Sequence, residues 1–324
     1  MEMKLRHLIA VGMLLAAPLA MAKTTGAMSL IPRDAVSVGV VRIADMRTSP
    51  LSGMLFQQTD KVSSNGDAER FLIEAGLKPS KDVDLLVVAV SPKTALGSES
   101  KILVAVEGRF NVERLTKALS DRGAIVKKTA NGSYYLLPDS KKEDDTKGVV
   151  AFPDAHLALM GDESSVAQAL ADRSAGGTAF ITAGGLAREI GRIDTNATAW
   201  ALVDVTRAQR LTNSPRVENK SAAAQQIGAA LNHVSTIALW ATDTGDALKL
   251  GGFGVANDAD TLQLLEDTLR GGLAAMRLAV QDKSPDLVTV LRRFDVKRSN
   301  DSVTISGSVP AASLKKFSEH QHKD

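Results

Sequence analysis

From Val36 onward, apolar residues come in short runs broken by turn residues, with stretches of helical spacing between them. Val36 to Ile43 predicts a first strand, entered through the turn Ile31-Pro32-Arg33-Asp34. Leu51, Met54, Leu55, Phe71, Leu72 and Ala75 predict a helical stretch that Gly76 and Pro79 stop. The nearly continuous apolar run Val83 to Val90 predicts a strand buried on both faces. Ile102 to Val106 predicts the next strand, beyond a loop carrying Ser91-Pro92 and Gly97-Ser98. Asn111 to Leu119 predicts a helix with Asn111 as N-cap and Val112, Leu115 and Leu119 on one face. Ala124 to Lys128 and Tyr134 to Leu137 flank Asn131-Gly132, a strong short-range hairpin signal.

The order then recurs. Ala199 to Val205 predicts a strand and Ala222 to Leu231 a helix. Thr236 to Ala241 and Leu248 to Ala256 predict strands around the turn Asp243-Thr244-Gly245-Asp246. Asp258 is placed to cap a helix carrying Leu262, Leu265, Leu269, Leu273 and Met276. Leu287 to Lys297 and Ser302 to Val309 predict a last hairpin around Asn300-Asp301. Between the two sets, Val149 to Phe152, Pro153-Asp154, His156 to Met160 and a helix from Ser164 to Ala171 complete the first sheet. Val126-Lys127-Lys128-Thr129 and Val296-Lys297-Arg298-Ser299 echo one another before their turns.

The reading is therefore α+β: two divergent copies of a β-α-β-β-α-β-β unit, with antiparallel sheets and helices packed on one face. The first copy runs over 23–177, the second over 178–318, and 319–324 is a polar tail. The offset between copies drifts, which marks divergent duplication rather than a solenoid of fixed period.

Three segments carry a loose resemblance to a group of uncharacterised secreted bacterial proteins. They are Leu30-Ile31-Pro32-Arg33-Asp34-Ala35-Val36, the stretch Val83 to Phe110 ending Gly108-Arg109-Phe110, and Ser302-Val303-Thr304-Ile305-Ser306-Gly307. The resemblance implies a duplicated α+β architecture. It implies no activity, ligand or site residue.

The first 22 residues read as an export signal. Lys4, Arg6 and His7 are cationic, Leu8 to Leu15 is a compact apolar run, Pro18 breaks it, and Ala20-Met21-Ala22 offers small side chains for cleavage. A mature chain starting near Lys23 is expected in a periplasm or outside the cell. The apolar run is shorter than the about 20 residues of a spanning helix. The chain has no cysteine, which excludes disulfides, thiolate metal sites and thiol nucleophiles. The net charge of +2 and the 4% aromatic content give no basic, ring-rich patch for nucleic acid. The 44% hydrophobic content is ample for a packed core.

Candidate chemistry is sparse. Asp243-Thr244-Gly245 has the triplet of aspartic proteases, which need a second carboxylate to share a proton. Ser91-Pro92-Lys93 stands in the corresponding loop of the first copy, so the triplet suits a hairpin turn better. Gly252-Phe253-Gly254 has two of the three glycines of a dinucleotide loop, Asn257 replacing the third, and strand packing is the better account. Ser313 and Lys316 have Ser-x-x-Lys spacing without the accompanying motifs of serine acyltransferases, and amphipathic helix spacing explains them. His156 and His233 are expected to be structural; His320 and His322 lie in the tail. Asp258 and Asp260 fit helix capping better than a calcium loop, and Glu143-Asp144-Asp145 fits a solvated loop within Lys141 to Lys147.

No catalytic residue, metal set or cofactor follows from the sequence. The leading expectation is an exported, non-catalytic binding protein with an envelope or secreted protein partner. The alternatives are a carrier or sensor of an apolar ligand, and a hydrolase using Asp243.

Overall fold

The structure is a computed structural model of the chain. It describes residues 26–49, 52, 56, 67–94, 99–138, 148–177, 186–211, 233–281 and 285–314. The export signal, Leu51, Met54 and Leu55, the Gly97-Ser98 loop, Lys141 to Lys147, the Ala222 to Leu231 helix and the tail lie outside the described residues.

A 3-10 turn, Ala27–Leu30, leads into β1 (Ser37–Val41). Then come α1 (Ile43–Met46), α2 (Asp67–Ala75), α3 (Pro79–Asp82), β2 (Val83–Pro92), β3 (Ser100–Gly108) and α4 (Val112–Asp121). Next are β4 (Ile125–Thr129), β5 (Gly132–Leu136), β6 (Gly148–Asp154), β7 (Leu157–Asp162), α5 (Glu163–Ser174) and α6 (Ala187–Ile190). Then follow β8 (Ala199–Asp204), α7 (Val205–Leu211), β9 (Thr236–Asp243) and β10 (Ala247–Val255). The last elements are α8 (Ala259–Val280), α9 (Pro285–Leu291), β11 (Asp295–Arg298) and β12 (Ser302–Pro310).

The α+β class holds, and every strand pair is antiparallel. The strands join in one sheet rather than two, in the order β11-β12-β10-β9-β8-β1-β2-β3-β7-β6-β5-β4. The halves meet at β1 and β8, where Gly39 pairs with Ala201. From that junction β1-β2-β3 runs one way and β8-β9-β10 the other. Hairpins β4–β5 and β11–β12 form the opposite ends, and β6 and β7 are inserted between β3 and β5.

Helices cover both faces, not one. Leu157 and Leu159 of β7 belong to the central core, which includes Val166, Ala169 and Leu170 of α5. Ala158 points the other way and packs with Leu115 and Ala118 of α4. The same second face, followed by strand register, carries Val296 and Val303 beneath Leu262, Leu265 and Leu273 of α8. The helices that follow β3 and β7, α4 and α5, lie on opposite sides of the sheet.

The predicted caps are present. Asn111 Oδ1 accepts the Arg114 N–H at 3.0 Å, and Asp258 Oδ1 accepts the Thr261 N–H at 2.7 Å. The expected strand Leu287 to Lys297 is a correction. Pro285–Leu291 is a helix with Val290 buried, and only Asp295–Arg298 is extended. Pro285 suits the first turn of a helix, where its missing N–H costs nothing. The apolar residues 287, 288, 290 and 291 lie at helical spacing that a strand reading ignores.

Candidate functional site

The run Val83 to Val90 gives the second correction, and it exposes the candidate site. In β2, past a bulge between Val83 and Leu85, burial alternates: Leu85, Val87 and Ala89 are buried in the central core, whereas Leu86, Val88 and Val90 on the other face are half-buried. Both sets are apolar, but only one face is sealed. The register carries this condition across the whole sheet. Val126, Tyr135, Val150, Met160, Val104, Val88, Gly39, Ala201, Leu239, Gly252, Ile305 and Val296 form one continuous cross-strand row, one residue per strand. No member is charged.

The row is covered at places and open between them. Phe71, Phe110 and Phe152 pack with α4 over the β3–β7 part, and Phe294 and Leu269 pack over the β12 part. Between these covers Leu239 is 58% exposed, Met160 36% and, one row away, Ile102 44%. Gly39 and Ala201 lie between Leu239 and Val88 and have almost no side chain. The surface therefore dips at the β1–β8 junction between Val88 of β2 and Leu239 of β9, a shallow trough about 14 Å across at ordinary strand spacing. Its floor is fixed by close packing beneath β10. A Cβ at Gly252 would stand 2.7 Å from Leu239 Cδ2, and one at Gly251 would stand 2.3 Å from Trp240.

That packing also settles Gly252-Phe253-Gly254. The triplet lies inside β10, flanked by antiparallel β9 and β12, with no phosphate-binding loop and no parallel unit. Gly254 makes room for Leu265 and Val234, and Phe253 joins the central core.

Asp243-Thr244-Gly245 is the β9–β10 turn. The Gly245 N–H donates to Asp243 Oδ1 at 2.7 Å, and Gly245 has φ +83°. The Thr244 hydroxyl lies 2.7 Å from Asp246 Oδ1 and 2.9 Å from the Ala247 carbonyl, and the hydroxyl holds the Asp246 carboxyl below its usual range. Asp243 Oδ2 is buried without a partner, and no salt bridge or side-chain hydrogen bond among the described residues brings a second carboxylate to Asp243. A proton-sharing dyad is not assembled within the described chain.

His156 was expected within a strand. It sits in the β6–β7 turn, exposed, because the Asp154 carboxylate accepts its N–H at 2.6 Å and bends the chain there. Its Nδ1 lies 3.1 Å from the Gly108 carbonyl. Beside it, Glu107 Oε1 accepts the Ala27 N–H at 2.5 Å in a cleft of about 320 Å³ that Asp84 and Asp154 also line. His233 is exposed in the turn before β9, far in sequence from His156. Asp258 caps α8, and the Thr261 N–H holds its carboxyl below the usual range. No group of three or more metal-ligating side chains occurs among the described residues. Ser313 is described but Lys316, His320, His322 and Glu143-Asp144-Asp145 are not. No helix among the described residues is long and apolar enough to cross a membrane.

No family model and no curated protein matches the chain. Solved structures of the protein TP0453 are similar to it. Crystal form III aligns with TM-score 0.49 over 88% of this chain and 94% of that one, at 11% identity. Form IV gives 0.47 over 89% and 94%, and form I gives 0.44 over 88% and 93%, both at 11% identity.

Sequence reasoning missed the open face, although its signal was present. A strand that is apolar at every position, in an antiparallel sheet, leaves one apolar face needing a cover. The described helices supply that cover only in part.

Proposed function

We propose that the mature chain is an exported, non-catalytic binding protein whose open sheet face docks an amphipathic helix of a partner protein. The observation that supports the reading most directly is Leu239, 58% exposed in the interior of a twelve-stranded sheet. Contiguous apolar surface of this kind marks interaction sites in proteins that work in water. The trough is open at the surface, and Gly39 and Ala201 allow close backbone approach at its lowest point. A helix about 10–12 Å in diameter fits within the trough's width of about 14 Å. An enclosed carrier cavity would favour an acyl chain instead; the face has no such enclosure among the described residues.

Export is carried by the reading of residues 1–22 and a periplasmic or secreted location follows from it. Sequencing the N-terminus of protein from the envelope fraction tests this, with Lys23 as the expected first residue. Photo-crosslinking from position 239 tests the site. A crosslink to a defined helical segment of one protein, absent when the crosslinker stands at Lys249 on the opposite face, is the expected result. Crosslinks only to lipid would replace the proposal with the carrier reading.

A further inference from the structure

Helix α8 ends in a segment that the fold leaves uncovered. Over 271–280 the only polar side chain is Arg277. Leu273 is buried there, whereas Ala274, Ala275, Met276, Leu278 and Ala279 are exposed. Leu278 is 72% exposed and Met276 49%. From this segment and the charges beside it we infer that the end of α8 inserts into one leaflet of an anionic lipid bilayer. The surface is separate from the open trough and does not depend on the reading given to it.

The spread of the exposed residues round the helix decides what covers them. At about 100° per residue, Met276 and Leu278 stand about 160° apart. Ala275 and Ala279 lie between them on one side, and Ala274 lies on the other. A groove on a protein takes one stripe of a helix, as the sheet takes Leu262, Leu265, Leu269 and Leu273 of α8. A helix apolar round most of its circumference belongs in a protein core or in lipid. Ten residues extend about 15 Å, half of the about 30 Å of a bilayer's hydrocarbon, so the segment enters without crossing.

Charge selects the lipid. Arg277 donates to the Leu291 carbonyl from Nε at 3.3 Å and Nη2 at 2.9 Å, which holds the end of α9 against the exposed segment. Arg292 and Arg293 follow directly, both exposed. Among the described residues none of these three guanidinium groups has a carboxylate partner, whereas Arg270 and Arg298 share Glu266. After Asp267, α8 carries no carboxylate, and Asp286 stands at the far end of α9 from Arg292. Unneutralised arginines beside an apolar helix end match an anionic surface, where each cation contributes about fivefold in affinity.

The test is co-sedimentation of the processed protein, freed of a signal that would itself bind lipid, with two kinds of vesicle. One is phosphatidylcholine alone and the other contains about one quarter phosphatidylglycerol. Binding to the anionic vesicles is expected to be at least about tenfold tighter and to weaken with added salt. Leu278→Gln should weaken it about tenfold. Arg292→Gln and Arg293→Gln together should weaken it about twentyfold and remove most of the preference for anionic lipid. All three positions are exposed, so an unchanged thermal midpoint serves as the folding control. The chain has no cysteine, so Leu278→Cys carries a single environment-sensitive dye. Its emission should shift to the blue on anionic vesicles, and that of the same dye on Lys249→Cys should not. Absence of binding up to about 1 mM lipid overturns the inference. Binding that ignores both the Leu278 and the arginine variants overturns it too. A dimer in solution that Leu278→Gln abolishes, without vesicle binding, would replace lipid with a second copy of the chain.

Discussion

Gly39 of β1 and Ala201 of β8 pair directly at the junction of the two half-sheets. Their small side chains form the lowest point of an apolar row that crosses all twelve strands. The pairing makes the halves one sheet, so a surface that either half would leave as an edge becomes a continuous floor. The duplication read from the sequence echo remains a proposal. The shared order β1-β2-β3 and β8-β9-β10 supports it, and the insertion of β6 and β7 limits it to part of the unit.

Gly161 fixes the sheet where β7 meets β3. It has φ +144°, and an added Cβ would stand 2.0 Å from the Ile102 carbonyl oxygen. That atom is backbone and cannot swing away. Gly161→Ala is expected to cost at least about 1–3 kcal/mol, combining backbone strain with overpacking. Urea unfolding measures it, and a loss below about 0.5 kcal/mol would contradict the β3–β7 register.

Arg192 ties the segment before β8 to the β11–β12 turn. It donates to Glu189 at 3.0 Å and to Asp301 at 2.9 Å, with its guanidinium 5.0 Å from the centre of the Phe253 ring. Arg192 holds the Asp301 carboxyl below its usual range. A depressed carboxyl contributes stability that is present above the unfolded value and lost as pH falls through the folded one. Asp301 is well exposed, so the contribution is small, below about 1 kcal/mol. Asp301→Asn should flatten the stability profile below about pH 4 and leave the neutral-pH slope unchanged. An unchanged acid limb in the variant would show that the pair contributes nothing.

Tyr134 behaves in the opposite sense. Its hydroxyl donates to Glu163 at 2.6 Å, Lys127 pairs with the same carboxylate, and the ring is 2% exposed. Burial raises the phenol above its usual value, with the Glu163 bond adding to the shift. The stabilised form is the neutral phenol, so its contribution is full below the unfolded value near 10 and is lost as pH rises through the folded one. Tyr134→Phe should cost about 0.5–1.5 kcal/mol at neutral pH and weaken the alkaline loss. Spectroscopic titration of the phenols offers the check: one of the two tyrosines should ionise later than the other.

Much of this fold was legible. The Asn111 and Asp258 caps, the Asn131-Gly132 and Asn300-Asp301 hairpins and the Asp243 turn were readable because each is set by local hydrogen bonds within a few residues. Two errors have separate causes. Pro285–Leu291 has helical spacing and a proline suited to a first helical turn, and the strand reading followed its apolar content instead. The alternate burial of Leu85 to Val90 depends on where the helices and the 3-10 turn pack against the sheet, which no window of sequence contains.

The open face is the central claim, and Leu239 reports on it most directly. Its side chain is mostly outside the core, so Leu239→Lys should change unfolding free energy by no more than about 0.5 kcal/mol. The same change places a charge in the middle of the trough. The decisive measurement is fluorescence titration of an apolar, environment-sensitive dye against the native chain and this variant, with Lys249→Leu on the opposite face as control. The account predicts saturable dye binding, reduced at least about tenfold by Leu239→Lys and unaffected by the control. Equal dye binding by the native chain and Leu239→Lys, with both fully folded, would contradict it.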